Sequence, residues 1–266
     1  MSTLPVALDL AAARHARLLA ALLDHDDPPW ASGVLPPLAH WLMFPPDTRQ
    51  SELGADGHPR RADDGLPRRM WAGSRICFLA PIPLGSVVER RTEQVAVEDK
   101  QGRSGRIRFT TLRHRLSVNG TVCIEEKQDI VHREAADGTM ALPAVDVPAS
   151  VPALARTVMT DPALLFRYSA LTFNAHRIHY DLPYARDVEG YPGLVVHGPL
   201  IATLLIDQYL RHHPKAPITA FRFRARRPVI SGTPLILGFS GATHDGALTA
   251  IDCMGGAAME AMVETA

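Results

Sequence analysis

Apolar and polar positions alternate with the period of strands through much of this chain, and with the period of helices in only a few places. From Leu8 to Leu23 the apolar residues Leu8, Ala11, Ala12, Leu18, Leu19 and Leu22 share one face of a helix. Residues 28–69 carry no such period. Pro28-Pro29, Pro36-Pro37 and Pro45-Pro46 punctuate them, and a polar run continues from Asp47 to Arg69. A loop of that length is uncommon unless it covers a site or wraps a neighbouring domain.

Strand-like segments come next, at Arg75 to Leu79, Val87 to Val97, Arg106 to Ser117 and Thr121 to His132. Asp99-Lys100-Gln101-Gly102 and Asn119-Gly120 separate them, and Asn119-Gly120 is the clearest hairpin signal in the chain. A Pro-rich stretch over 135–156 reads as a linker. Helix-like or irregular chain runs to Tyr184, then a helix from about Pro199 to His212. The last strands are Ile218 to Ala225, Leu235 to Thr243 and Ala247 to Met254, broken by Ser231-Gly232-Thr233-Pro234 and Asp245-Gly246.

The halves echo each other. Pro81-Ile82-Pro83-Leu84-Gly85 and Pro228-Val229-Ile230-Ser231-Gly232 each stand between two strands, 147 residues apart. Alternating βαβ units are absent, which disfavours a doubly wound parallel sheet; a helix laid on a mostly antiparallel sheet, repeated twice, fits better.

Composition narrows the class. The 266 residues allow one large domain or two small ones, and 46% apolar with 21% charged content is ordinary for a globular chain. With 28 Lys+Arg against 28 Asp+Glu, nothing in the charge suggests a nucleic-acid partner working through a generally basic surface. Cys77, Cys123 and Cys253 are too sparse for a disulfide framework and suit a reducing compartment. Asp9, Arg14, His15 and Arg17 interrupt the N-terminal apolar stretch, so neither a membrane span nor an export signal is expected. These features point to a cytoplasmic protein.

The chemistry concentrates in Phe166 to Asp181, where Tyr168, Asn174, His176, Arg177, His179 and Asp181 fall within sixteen residues. Tyr191-Pro192-Gly193-Leu194-Val195-Val196-His197-Gly198-Pro199 comes after it and opens an apolar helix. Pro199 suits the first helical position, which puts the Gly198 amide at the positive end of the helix, where it can bind an oxyanion. His176-x-x-His179 with His197 could also be read as metal ligands, but neither a zincin glutamate nor a cysteine cluster accompanies them. Imidazole suits acid–base work because both of its forms exist near neutral pH. Asn174 can hold water or substrate, or simply cap a turn. Tyr168, like His40, Trp41 and Trp71, can shape an acyl pocket or pack in the core. Arg222 and Arg224 alternate along a strand with Arg226, forming either a solvated basic face or an anion contact.

These residues resemble the MaoC-like hydratases and dehydratases, whose motif runs Gly-Asp-x-Asn-Pro-x-His. Aligned on the last histidine, His179 takes its place, Asn174 stands at the aspartate, and His176-Arg177 replace Asn-Pro. Thr172-Phe-Asn-Ala-His-Arg-Ile-His-Tyr-Asp181 resembles the type-2 hydroxyacyl-thioester dehydratases. Leu53-Gly-Ala-Asp-Gly-His-Pro59, Pro67-Arg-Arg-Met-Trp-Ala-Gly-Ser74 and Glu125-Glu-Lys-Gln-Asp-Ile-Val131 are similar to the mesaconyl-C4-CoA and itaconyl-CoA hydratase group.

The resemblance implies an α+β chain of two tandem hot-dog units. The first, 1–134, is degenerate and carries the insertion 28–69; a linker spans 135–156; the second, 157–266, carries the chemistry. It implies a hydro-lyase that hydrates a 2,3-enoyl thioester, such as mesaconyl-C4-CoA to citramalyl-CoA, with the alternatives of a thioesterase or a silent thioester-binding protein. The implied site is Asn174 and His179 for catalysis, with Gly198, His197, Tyr168, Arg222 and Arg224 around the thioester. No metal or other cofactor is implied. The partner is an acyl-CoA or acyl-carrier-protein thioester, with no nucleic acid and no membrane. A homodimer through edge strands is one arrangement such a fold allows.

Overall fold

Asn119 and Gly120 both take positive φ, 49° and 80°, as a two-residue hairpin turn requires. They join β5 (Gly105–Val118) to β6 (Thr121–Arg133) with Val118 opposite Thr121. This computed structural model describes residues 2–3, 5–62, 64–102, 105–135, 138, 145, 148–241 and 246–266. Residues 136–137, 139–144 and 146–147 of the expected linker, and parts of the turns at 102–105 and 241–246, lie outside the described residues.

The first half of the chain contributes β1 (Ser2–Thr3), β2 (Ala7–Leu10), α1 (Ala13–Leu22), β3 (Arg68–Phe78), β4 (Val87–Gly102), β5 and β6. The second contributes β7 (Leu154–Met159), α2 (Pro162–Thr172), α3 (Gly198–His212), β8 (Ile218–Ala225), β9 (Pro234–Ser240), β10 (Gly246–Ile251) and β11 (Ala257–Thr265). All described strands join one antiparallel sheet in the order β1-β4-β5-β6-β3-β8-β11-β10-β9-β7, with β2 also on β4. The α+β tandem hot-dog arrangement is therefore what the chain adopts: two half-sheets joined where β3 meets β8, with Arg75 opposite Arg222 at the middle of that ladder.

The proline-glycine echo is structural. Gly85 and Gly232 sit at φ 91° and 85°. Leu35 N–H donates to Ile82 O and Val196 N–H to Val229 O, both at 2.8 Å. Val34 bridges Pro83 as Val195 bridges Ile230. Val34-Leu35-Pro36-Pro37 is thus the counterpart of Val195-Val196-His197-Gly198. Beyond these four residues the halves diverge. The second half runs into the 15-residue α3, the first into a 3-10 turn of 4 residues, Ala39–Leu42. Pro37 has no N–H to offer where Gly198 has one, so the first half cannot present the same donor.

Every residue of α3 from Leu200 to Leu210 is buried, including Asp207 and Gln208, and strands β9, β10 and β11 pack on it. Among the described residues of the first half, no such helix fills the concave face of β4–β6. The loop carrying Trp41, Phe44 and residues 53–61 closes over it instead, leaving a cavity of about 1830 Å³ between the halves.

Three expectations change. The apolar stretch from Leu8 begins as strand β2, because Ala11 exchanges backbone hydrogen bonds with Ser86 and Gly85 across the sheet, and the helix starts only at Ala13. Leu154–Met159, expected as the end of the linker and the helix-like or irregular chain after it, is an edge strand on β9. The last strand, β11, has no counterpart among the expected elements.

Candidate active site

Helix α2 is started by Asp161, whose carboxylate accepts the Leu164 N–H at 2.9 Å, with Pro162 at the first position. It stops at Phe173, which takes φ 49°. Asn174 then makes a side-chain turn: its Oδ1 accepts the His176 N–H at 2.9 Å. One 3-10 turn, Arg177–His179, brings the His179 imidazole inward.

There His179 Nδ1–H donates to the Val195 carbonyl at 2.7 Å. A carbonyl only accepts, so the proton is on Nδ1 and Nε2 keeps its lone pair. The ring stacks on His197 with centroids 3.6 Å apart and planes 21° apart. His197 caps α3 and shares a 2.8 Å hydrogen bond with the Ser169 hydroxyl. Burial pushes the His179 pKa down to about 4, against the pull of the Val195 hydrogen bond. His176 is pushed down to about 2 by burial and by His58 and His179, and His197 is also well below the usual imidazole value. All three are neutral at pH 7.

Gly198 opens α3, so its N–H lies among those with no acceptor inside the helix. The Trp71 carbonyl lies 3.6 Å from where a side chain at Gly198 would begin. Asn174, His179, Gly198 and Tyr168 all line the one cavity, and the Tyr168 ring lies 5.1 Å from that of His197. Burial raises the Tyr168 phenol pKa well above its usual value, so it stays protonated.

Arg222 and Arg224 do not join this group. They alternate with Phe221 and Phe223, whose rings take the core side, so both guanidiniums face outward, and Arg222 lies 4.0 Å from Glu264. The period of a strand places them on one face, but the larger apolar gain of the two phenylalanines decides which face that is.

The first half adds a polar cluster around Glu126, a residue to which no local pattern assigns a role. Glu126 is fully buried and accepts from Trp41 Nε1 at 3.1 Å and Ser74 Oγ at 2.7 Å, with His40 Nε2 also 3.1 Å away. Trp71 Nε1 reaches Ser74 Oγ at 3.0 Å. His40, Trp41 and Trp71 line the cavity with their polar ends tied to this carboxylate cluster.

Asp56 and His58 reach the loop of residues 174–179 from the insertion. Asp56 O accepts the Arg177 N–H at 2.9 Å, and Arg177 Nη1 donates to Ala55 O at 3.0 Å. Gly57 permits the approach, since a side chain there would meet the Ala175 carbonyl at 1.8 Å, and its φ is 90°. The His58 ring lies 4.4 Å from His176, and His176 lies 5.3 Å from His179. One ligand atom each from Asp56, His58 and His176 fall within 4.8 Å of one another. A cation fits poorly there: His58 Nδ1 is 2.9 Å from Asp56 and its Nε2 is 3.1 Å from the Arg69 guanidinium. The motifs around residues 53–59 and 67–74 are visible in the sequence; that they meet residues 174–179 is not.

Residues 38–231 match the family described as hydroxyacyl-thioester dehydratase type 2. The chain is 46% identical to the mesaconyl-C(4)-CoA hydratase of Chloroflexus aurantiacus, over 86% of this chain and 83% of that protein. Among solved structures, HtdX of Mycobacterium tuberculosis superposes with a TM-score of 0.70 at 19% identity, covering 100% of both chains. A second Mycobacterium tuberculosis protein, described as a double hot-dog fold, has a TM-score of 0.57 at 13% identity over 99% of this chain and 96% of its own. Tandem half-sheets, the His179 loop at the mouth of α3 and a match across most of the chain have one reading: the chain belongs to the hydroxyacyl-thioester dehydratase type 2 family.

Proposed function

We propose that the chain is a hydro-lyase that reversibly hydrates a 2,3-enoyl-CoA thioester, with mesaconyl-C4-CoA as substrate and citramalyl-CoA as product. One observation carries this reading. His179 is fixed by Val195 with its basic Nε2 free, and it lines the same cavity as the helix start at Gly198.

The Gly198 N–H holds the thioester oxygen, where negative charge gathers as the double bond is polarised. Water between Asn174 and His179 attacks Cβ. His179 Nε2 takes a proton from that water as its oxygen bonds to carbon, and the C=C pair shifts toward the thioester as an enolate. The imidazolium then returns the proton to Cα, and the oxygen charge collapses back to the carbonyl. Neutral His179 is the form this step needs, and burial keeps it neutral. Asn174 neither takes nor gives a proton, so one histidine carries both transfers. An oxyanion donor is worth about 10²–10³ in rate, and an acid–base group about 10²–10⁴.

Among the described residues no helix is long and apolar enough to cross a membrane. A cytoplasmic setting, with coenzyme A rather than an acyl carrier protein as the carrier, accords with the hydratase relative. Loss of conjugated enoyl absorbance on mesaconyl-C4-CoA, without thiol release, is the expected result. Release of free coenzyme A would instead indicate a thioesterase. His179→Ala should lower kcat by about 10²–10⁴ while leaving thioester binding; a folded variant with wild-type turnover would sink the assignment.

A further inference from the structure

Arg69 lines the cavity two residues before Trp71 on β3, and Trp71 is the residue whose carbonyl faces Gly198. Its Nη1 lies 3.1 Å from His58 Nε2, while His58 Nδ1 lies 2.9 Å from Asp56 Oδ2. A guanidinium can only donate, so His58 Nε2 accepts and Nδ1–H donates to Asp56. Burial, together with Arg69 and Arg61, outweighs Asp56 and lowers the His58 pKa, so the ring is neutral. Asp56, in turn, is half-buried, which raises its pKa, but hydrogen bonds from the His58 ring and backbone hold it down to about 2. The result is an ordered line, carboxylate to imidazole to guanidinium, running from the insertion into the cavity.

The line ends on a positive charge that lacks a counterion. Among the described residues no carboxylate lies within ion-pair distance of Arg69, and the one whose charge reaches it, Asp56, is already committed to His58. Of its five N–H groups, one goes to His58. Desolvating a guanidinium without a partner is costly, so such a group is best explained by an anion that arrives with the substrate.

We propose that Arg69 binds the carboxylate carried by the acyl group, and that Asp56 and His58 are positioning residues for it. This rests on the hydration reading and adds the residue that would recognise the carboxylate on Cβ of such a substrate. Position favours the acyl carboxylate over the phosphates of coenzyme A. His58 touches His176, and His176 touches His179, so Arg69 serves the neighbourhood of the reacting carbons. The phosphates are separated from those carbons by the whole pantetheine arm. Arg222 and Arg224, outward on β8, cannot take this role.

The test compares kcat/KM for mesaconyl-C4-CoA with that for 3-methylcrotonyl-CoA, in which a methyl replaces the carboxylate. In the wild type the ratio should favour the acid strongly. Arg69→Gln should lower the ratio about 100-fold, the loss expected when a buried charge-assisted pair is broken. The same fall should appear with pantetheine thioesters, which lack the phosphates. Asp56→Asn leaves the guanidinium in place but loosens it, and should lower the ratio several-fold; it carries the test if Arg69→Gln does not fold. A ratio unchanged in both variants overturns the proposal, as does a fall that vanishes with pantetheine thioesters. A wild type that hydrates both thioesters equally overturns this proposal alone. A wild type that hydrates neither overturns the hydration reading as well.

Discussion

The imidazoles of His179 and His197 lie face to face, 3.6 Å between centroids, and neither is placed to be protonated cheaply. His179 is anchored by Val195 O, His197 by Ser169, and burial lowers the pKa of both. In the proposed reaction His179 is therefore available as a base across a wide range of pH. The acid limb of the kcat profile should fall near pH 4, well below the ordinary imidazole value of 6.5. A limb at 6.5 in a protein still folded would show that burial does not govern this histidine.

Acid should also weaken the fold before it inactivates the site. His132 and His179 titrate near 4 in the folded chain and near 6.5 when unfolded, and burial is the first cause for each. Between these values the unfolded state binds more protons, so stability rises with pH. This contribution is complete above about pH 6.5 and is lost as pH falls toward 4. Urea midpoints measured from pH 7 to pH 4.5 should decrease steadily; a flat series would contradict the assignment of neutral buried histidines.

Asn174 gives a test that separates structure from chemistry. Its Oδ1 accepts the His176 N–H, and an aspartate keeps that acceptor, so Asn174→Asp should fold with nearly unchanged stability. Asn174→Ala loses the turn bond and should cost about 0.5–2 kcal/mol, as capping losses do. The new carboxylate of Asn174→Asp stands near His179 and favours its charged form. The acid limb of kcat should therefore move to higher pH, a shift that Asn174→Ala would not produce.

Much of this was legible in the sequence. The alternation of Phe221, Arg222, Phe223 and Arg224 marked β8, and Asn119-Gly120 marked the hairpin. Val34 and Val195 show why the Pro-x-x-x-Gly echo is real, since each bridges the third residue of its own copy. β11 escaped notice because Ala257–Thr265 is rich in Ala, Met and Glu, good helix formers that only the neighbouring strands hold extended. The Arg69–His58–Asp56 line escaped for another reason. Its meaning lies in contacts with residues more than a hundred positions away, such as Asp56 with Arg177, and no local period encodes these.

Asp207 offers the sharpest prediction about stability. It is buried in α3, where a lone carboxylate would be prohibitive, and it is held by three basic side chains, two of them from distant parts of the chain. His25 Nε2 and Arg156 Nη2 each approach to 2.5 Å, and Arg211 Nε to 2.9 Å. His25 comes from the loop after α1, Arg156 from edge strand β7, and Arg211 from one turn further along α3 itself. Asp207→Ala strands these groups beside the core and should cost about 3–5 kcal/mol. Asp207→Asn keeps an acceptor without the charge and should cost less. Because none of these three partners lines the cavity, both variants should show the loss in thermal unfolding rather than in KM; a raised KM with unchanged unfolding would contradict this placement.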